Sequence, residues 1–191
     1  PGLGGELALE AARQGASLAI AARTPEKLDA SEREIRSAGL DVPLLKVPTD
    51  ISDAGQCQAL VEATVKEFGR IDALINSAYN PGSFEPIEKA NLQGWRDAME
   101  VNLFGTMNLT LATVPVMKQQ GGGAIVMINT MVTRKPLATQ GGYAASKAAL
   151  ASATSHLATE LGHYGIRVNS AFMGWMWGPP VEFYMEMMKD T

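Results

Sequence analysis

The chain has 191 residues, 46% of them hydrophobic and 19% charged, and a net charge of −4; this suffices for one well-buried domain, and nothing suggests two. The negative balance, with no stripe of Lys and Arg, argues against a nucleic-acid or membrane-surface partner. No apolar run reaches the length of a membrane span, and the single cysteine, Cys57, excludes an internal disulfide, as suits a reducing cytoplasm.

Gly2-Leu3-Gly4-Gly5 runs into a helical pattern that continues to Arg13, with Leu3, Leu7 and Ala11 on one face. Glycines at a helix start let a phosphate approach the backbone amides, where the helix end carries partial positive charge; without a ligand they are an ordinary glycine turn. Residues 17–22 are a continuous apolar run, expected of a parallel strand covered on both faces. Arg23 ends the run, Thr24 is a candidate cap, and Pro25 suits the first position of a helix ending near Gly39. Residues 42–47 are the next strand; Asp50-Ile51 follow it, and Asp50 taken alone reads as a turn or capping residue before a helix over 53–68.

Residues 71–75 have strand character and lead into Asn76-Ser77-Ala78-Tyr79. A long helical region over 91–120 carries Asn102, and a strand over 124–128 ends at Asn129-Thr130. The next helix holds Tyr143 and Lys147 and stops near Gly162; residues 166–171 form the last strand. Met173-Gly174-Trp175-Met176-Trp177-Gly178 and a methionine-rich tail close the chain, and His156 and His163 have no partner at a metal-ligand spacing. This alternation implies an α/β fold of Rossmann type: a doubly wound parallel sheet, helices on both faces, and a site outside the carboxyl ends of the strands.

Tyr143 and Lys147, four apart, fall on one helix face and can converge on one small site. A phenol gives a proton to a carbonyl oxygen, or takes one from an alcohol, while hydride moves at the carbon. A nearby ammonium favours the phenolate; lowering a pKa of about 10 by about 3 units takes roughly 4 kcal/mol. Lys147 is therefore expected to draw the Tyr143 pKa down. Taken alone, the spacing also fits a boundary tyrosine and a solvated lysine.

With Gly2-Leu3-Gly4, Asp50, Asn76-Ser77-Ala78, Asn102, Thr130, Tyr143-x-x-x-Lys147 and the run 165–170 in this order, the chain resembles the short-chain dehydrogenase/reductase family over essentially its whole length. The resemblance implies a nicotinamide-dependent oxidoreductase acting on a small alcohol or ketone. Tyr143 would be the acid/base, Lys147 its tuner and a ligand of the nicotinamide ribose. Thr130 would orient the substrate oxygen, and Asn102 would hold a proton-relaying water. Gly2, Leu3 and Gly4 would meet the pyrophosphate, Asp50 and Ile51 the adenine, Asn76, Ser77 and Ala78 the ribose, and Gly174 and Met176 the nicotinamide amide.

Ala22 stands where an NAD-selective site places an acid, and Arg23 next to it can pair with a 2′-phosphate, aided by Thr24; this favours NADP, with NAD the alternative. Tyr79 replaces a glycine of the family pattern and puts a ring by the cofactor or substrate entrance. Met173 replaces a proline and Gly178 a threonine. The tail is expected to begin a substrate lid, packed on the body or open to an apolar substrate. The family also implies a homodimer or homotetramer through the helices containing Asn102 and Tyr143. A first strand feeding Gly2 and a final helix and strand are not among these residues; without that strand the sheet is expected to fall into halves with unpaired edges. The rival reading is a dinucleotide-binding module without turnover; epimerisation or dehydration by the same tyrosine is a third.

Overall fold

The computed structural model describes residues 2–187; Pro1 and residues 188–191, Met188 of the tail among them, lie outside the described residues. The elements are α1 (Leu3–Arg13), β1 (Leu18–Ala22), α2 (Pro25–Ser37), β2 (Leu44–Pro48), α3 (Ala54–Phe68), β3 (Ala73–Asn76), α4 (Leu92–Met99), α5 (Thr106–Gln119), β4 (Gly123–Thr130), α6 (Gly141–Leu161), β5 (Ile166–Met173) and α7 (Pro179–Met187). Local chemistry sets several boundaries. The Asp53 carboxylate accepts from the amides of Gly55 and Gln56 at 2.8 and 3.0 Å and so starts α3. Gly69, at φ 76°, ends it in the left-handed region. Thr24 does occupy the cap position of α2, but its hydroxyl makes no capping bond, which leaves Pro25 to set the first turn.

All strand pairs are parallel, and they form two sheets, β1-β2 and β3-β4-β5. β1 and β3 each keep one edge without a partner strand among the described residues. The run over 17–22, expected to be covered on both faces, is therefore half open: Ala19 and Ala21 are exposed, as is Ile75 on β3. Burial concentrates elsewhere. Met117, Ile125, Met127, Leu150, Leu161, Ile166 and Val168 join α5 and α6 to β4 and β5, and Cys57, Leu60, Val61 and Leu109 join α3 to α5. Each such side chain contributes about 1.5–3 kcal/mol.

The long helix is not uniform. Between α4 and α5, Glu100–Gly105 form a π-helical segment, an irregularity frequent at functional sites. A Cβ on Gly105 would lie 2.9 Å from Ile51 Cγ1, so the glycine lets the turn after β2 seat against this segment. β4 and β5 stay paired to their last residues, Thr130 opposite Met173. Methionine, unlike proline, has an N–H and is compatible with a ladder, which lets β5 run to Met173.

Candidate active site

The end of β4 and the second turn of α6 are stitched together by Asn129. Its Nδ2 donates to the Lys147 carbonyl at 3.1 Å, and its Oδ1 accepts from the Thr130 amide at 2.9 Å. Lys147, 2% exposed, donates from Nζ to the Ile128 carbonyl at 2.8 Å. That carbonyl is its one protein acceptor among the described residues, although an ammonium has three protons to place. Tyr143 is partly buried, and the Thr130 side chain lies close enough to its hydroxyl to oppose the rise in its pKa. Thr130 and Tyr143 thus lie together at the end of β4, and Lys147 is tied to the same strand two residues earlier, at Ile128.

Their electrostatics correct one expectation. Lys147 was expected to draw the phenol pKa down; instead the Tyr143 pKa is raised above its ordinary 10.0. Burial is the main cause, Tyr79 adds to it, and the Thr130 side chain opposes it. Lys147 has no part in this shift: its ammonium binds Ile128, and burial pushes its own pKa from 10.5 down to about 8. At neutral pH the tyrosine is therefore a protonated donor.

Asn102, fully buried in the π-helical segment, is a structural hub. Its Oδ1 accepts from the Asn80 amide at 2.7 Å, while Nδ2 donates to the Asn80 carbonyl at 2.8 Å and to Ser146 Oγ at 2.9 Å. Ser146 Oγ donates in turn to the Tyr143 carbonyl at 2.8 Å. One side chain thus fixes the loop after β3 against the helix turn that carries Tyr143. Tyr79, immediately before Asn80, sets its ring edge-on to Tyr143 with centroids 6.3 Å apart.

At the end of the fold where the dinucleotide is expected, Gly2 at φ 99° opens α1, and its carbonyl accepts from the amides of Gly5 and Glu6. A Cβ on Gly4 would lie 3.5 Å from Ser77 Oγ, which places this helix start against the run after β3. Asn76 is buried and donates to Thr110 Oγ1 at 3.1 Å and Met127 Sδ at 3.2 Å, while Ala78 is exposed. Arg23 and Thr24 are exposed after β1, and Arg23 makes no ion pair among the described residues. Asp50 Oδ1 accepts from the Ser52 amide at 3.0 Å, a turn bond, and the Ile51 carbonyl accepts from Asn108 Nδ2 at 3.1 Å. Gly174 and Met176 are exposed beyond β5, with Met131 beside Gly174. In the tail, Tyr184 is buried against Trp175 and Phe84, whereas Phe183 and Met185 are exposed.

Sequence reasoning missed several supports: Asn80, Asn108, Ser146 and Trp95. Ser146 was within reach, since it lies between Tyr143 and Lys147. A Cβ on Gly141 or Gly142 would come 2.9 or 2.7 Å from the Trp95 ring, so the two glycines let α4 press on the first turn of α6. Thr139, just ahead of that turn, is the one non-glycine residue with positive φ among those described, at 67°, and its buried hydroxyl has no hydrogen-bond partner.

Residues 1–181 match the family model described as short chain dehydrogenase. The chain belongs to that family. The chain is 33% identical over 187 residues to levodione reductase of Leifsonia aquatica, covering 98% of the chain and 70% of that protein. It is 31% identical over 178 residues to L-fucose dehydrogenase of Oryctolagus cuniculus, covering 93% and 60%. Among solved structures, levodione reductase matches with a TM-score of 0.94 at 32% identity, over 99% of this chain and 73% of that one. NAD+-bound xylitol dehydrogenase matches with a TM-score of 0.87 at 28% identity, over 94% and 68%. The chain therefore has its family's Rossmann-like fold and belongs to a family of oxidoreductases that bind nicotinamide dinucleotides.

Proposed function

We propose that this short-chain dehydrogenase interconverts an alcohol and a ketone, with Tyr143 as the acid/base and NADP as the preferred cofactor. The observation that carries the reading is the meeting of Tyr143 and Thr130 at the carboxyl end of β4, with buried Lys147 tied to the same strand at Ile128. The residues present fit a nicotinamide dinucleotide. Gly2 gives α1 an open start whose first amides, at Leu3 and Gly4, have no intrahelical acceptor. A Cβ at Gly4 would fill the space beside Ser77. Lys147 keeps N–H groups for ribose hydroxyls. Asp50 and Ile51 would hold the adenine, Asn76, Ser77 and Ala78 the ribose wall, and Gly174 and the Met176 backbone the amide end.

A bound nicotinamide dinucleotide supplies or accepts the hydride. Thr130 Oγ1 holds the substrate oxygen, and the Tyr143 hydroxyl gives that oxygen a proton in reduction. The raised phenol pKa favours this protonated form. Lys147 returns a proton to Tyr143. Asn102 would hold the proton-relaying water, and its side chain fixes the loop after β3 against the turn of α6 that carries Tyr143.

Xylitol dehydrogenase and the carveol dehydrogenase of Mycobacterium avium are described with NAD. The preference for NADP here rests on this chain's own Ala22, which repels no phosphate, and on exposed Arg23, which makes no ion pair among the described residues. Exposed Leu92, Phe104 and Leu111 on α4, the π-helical segment and α5 support a homodimer or homotetramer through these helices and α6, and a cytoplasmic enzyme completes the reading.

The test is a screen of alcohols and ketones of graded size, following nicotinamide absorbance. Tyr143→Phe should lower turnover by about 100-fold or more with cofactor affinity nearly unchanged. A phenylalanine variant that keeps most of its rate would overturn the mechanism.

A further inference from the structure

We infer that Tyr79 determines substrate specificity: its ring walls one flank of the carbonyl site and admits compounds whose α-carbon on that flank is unbranched. This rests on the oxidoreductase reading above. The ring stands edge-on to Tyr143, with centroids 6.3 Å apart and planes at 62°, yet 48% of the residue is exposed. A tyrosine serving as core filler would be covered. This one leaves half of its surface open beside the phenol that is to meet the substrate oxygen.

The backbone at this position does not explain the ring. Tyr79 has ordinary φ, so nothing in its conformation calls for glycine or for an aromatic residue. Its placement is nevertheless held firmly. Both backbone groups of Asn80 are bonded to buried Asn102, and Asn80 Oδ1 accepts from the Gly82 amide at 2.9 Å. A ring rooted next to such a clamp keeps its position when a substrate arrives, and a rigid wall discriminates better than a mobile one.

The same loop separates the substrate flank from the cofactor flank. Ser77 lies at the start of α1, the phosphate end, whereas Tyr79 lies against Tyr143, the proton-donor end. Tyr79 also contributes to the raised pKa of Tyr143, which agrees with their proximity. The sequence pattern left open whether this ring guards the cofactor or the substrate; the neighbour it keeps assigns it to the substrate.

The test uses the full chain with two symmetrical ketones of the length it turns over best, one unbranched and one branched at both α-carbons, so that binding orientation does not matter. The unmodified enzyme should prefer the unbranched ketone. Tyr79→Ala should shift the ratio of kcat/KM towards the branched one by roughly 10-fold or more, the range a few carbon atoms command in an apolar pocket. Tyr79→Phe, which keeps the ring, should leave the ratio in place, and the cofactor KM should stay constant in both. Tyr79→Leu serves if the alanine variant does not fold, with a shift in the same direction. An unmoved ratio in the ring-less variant, a phenylalanine variant that behaves like alanine, or a raised cofactor KM would each overturn the role of Tyr79 alone. No turnover of any carbonyl compound by the unmodified enzyme would overturn the oxidoreductase reading and this inference together.

Discussion

Replacing Lys147 with methionine should stabilise the ligand-free protein at neutral pH while removing a group the proposed chemistry needs. Lys147 is buried, and its pKa falls from 10.5 to about 8 on folding. A shift of about 2.5 units at about 1.36 kcal/mol each places roughly 3.4 kcal/mol against the folded state when the lysine is charged. Below pH 8 both folded and unfolded chains carry the proton, and the whole penalty applies. Between pH 8 and 10.5 only the unfolded chain holds it, so stability rises with pH, and above 10.5 the penalty is gone. It amounts to about 3.4 kcal/mol at pH 7 and about 0.8 kcal/mol at pH 10, a change of about 2.5 kcal/mol. Methionine keeps the length and apolar character of the side chain but leaves the Ile128 carbonyl without its donor, which costs about 1–3 kcal/mol. The variant should therefore be about 0.5–2 kcal/mol more stable at pH 7, and the gap should move by about 2.5 kcal/mol in favour of the natural protein by pH 10. Urea unfolding of both proteins, followed by tryptophan fluorescence at pH 7, 8, 9 and 10, measures this gap while cancelling the titrations they share. A gap independent of pH, or one moving the other way, would refute the claim that burial holds Lys147 near pH 8.

Two further changes act at the ends of the site. Ala22→Asp with Arg23→Ile should reverse the ratio of kcat/KM for NADP and NAD, because the acid accepts from the ribose hydroxyls and the 2′-phosphate loses its cation; an unmodified enzyme that uses NAD at least as well would remove the role given to Arg23. Thr139→Gly should raise the melting temperature by about 2–4 °C, since it relieves about 1 kcal/mol of left-handed strain and removes a buried hydroxyl that has no partner among the described residues. A lower melting temperature, by scanning calorimetry, would show that Thr139 is not strained in solution.

Much of the fold is legible in the order of residues because strand and helix periodicities are local. The apolar run before Arg23, the caps at Asp53 and Gly69, and the four-residue spacing of Tyr143 and Lys147 each depend on neighbours within a few positions. The same spacing predicts that both groups share a helix face, and β4 ending at Thr130 brings a hydroxyl close to Tyr143.

What the sequence could not supply depends on contacts between distant residues and on burial. Asn102 reads as one polar residue in a long helix; only the fold brings Asn80, 22 positions away, and Ser146, 44 positions away, to its amide, and only packing against Ile51 gives Gly105 its reason. The direction of the Tyr143 shift failed for the same reason. Spacing places the ammonium on the right face, but its pKa effect depends on where Nζ binds and on how much water remains, and here Nζ binds Ile128 while burial governs both groups. By itself, then, the sequence determined which chemical groups are present and on which elements they ride; the tertiary structure decided which of them touch, which are desolvated, and hence which holds its proton at neutral pH.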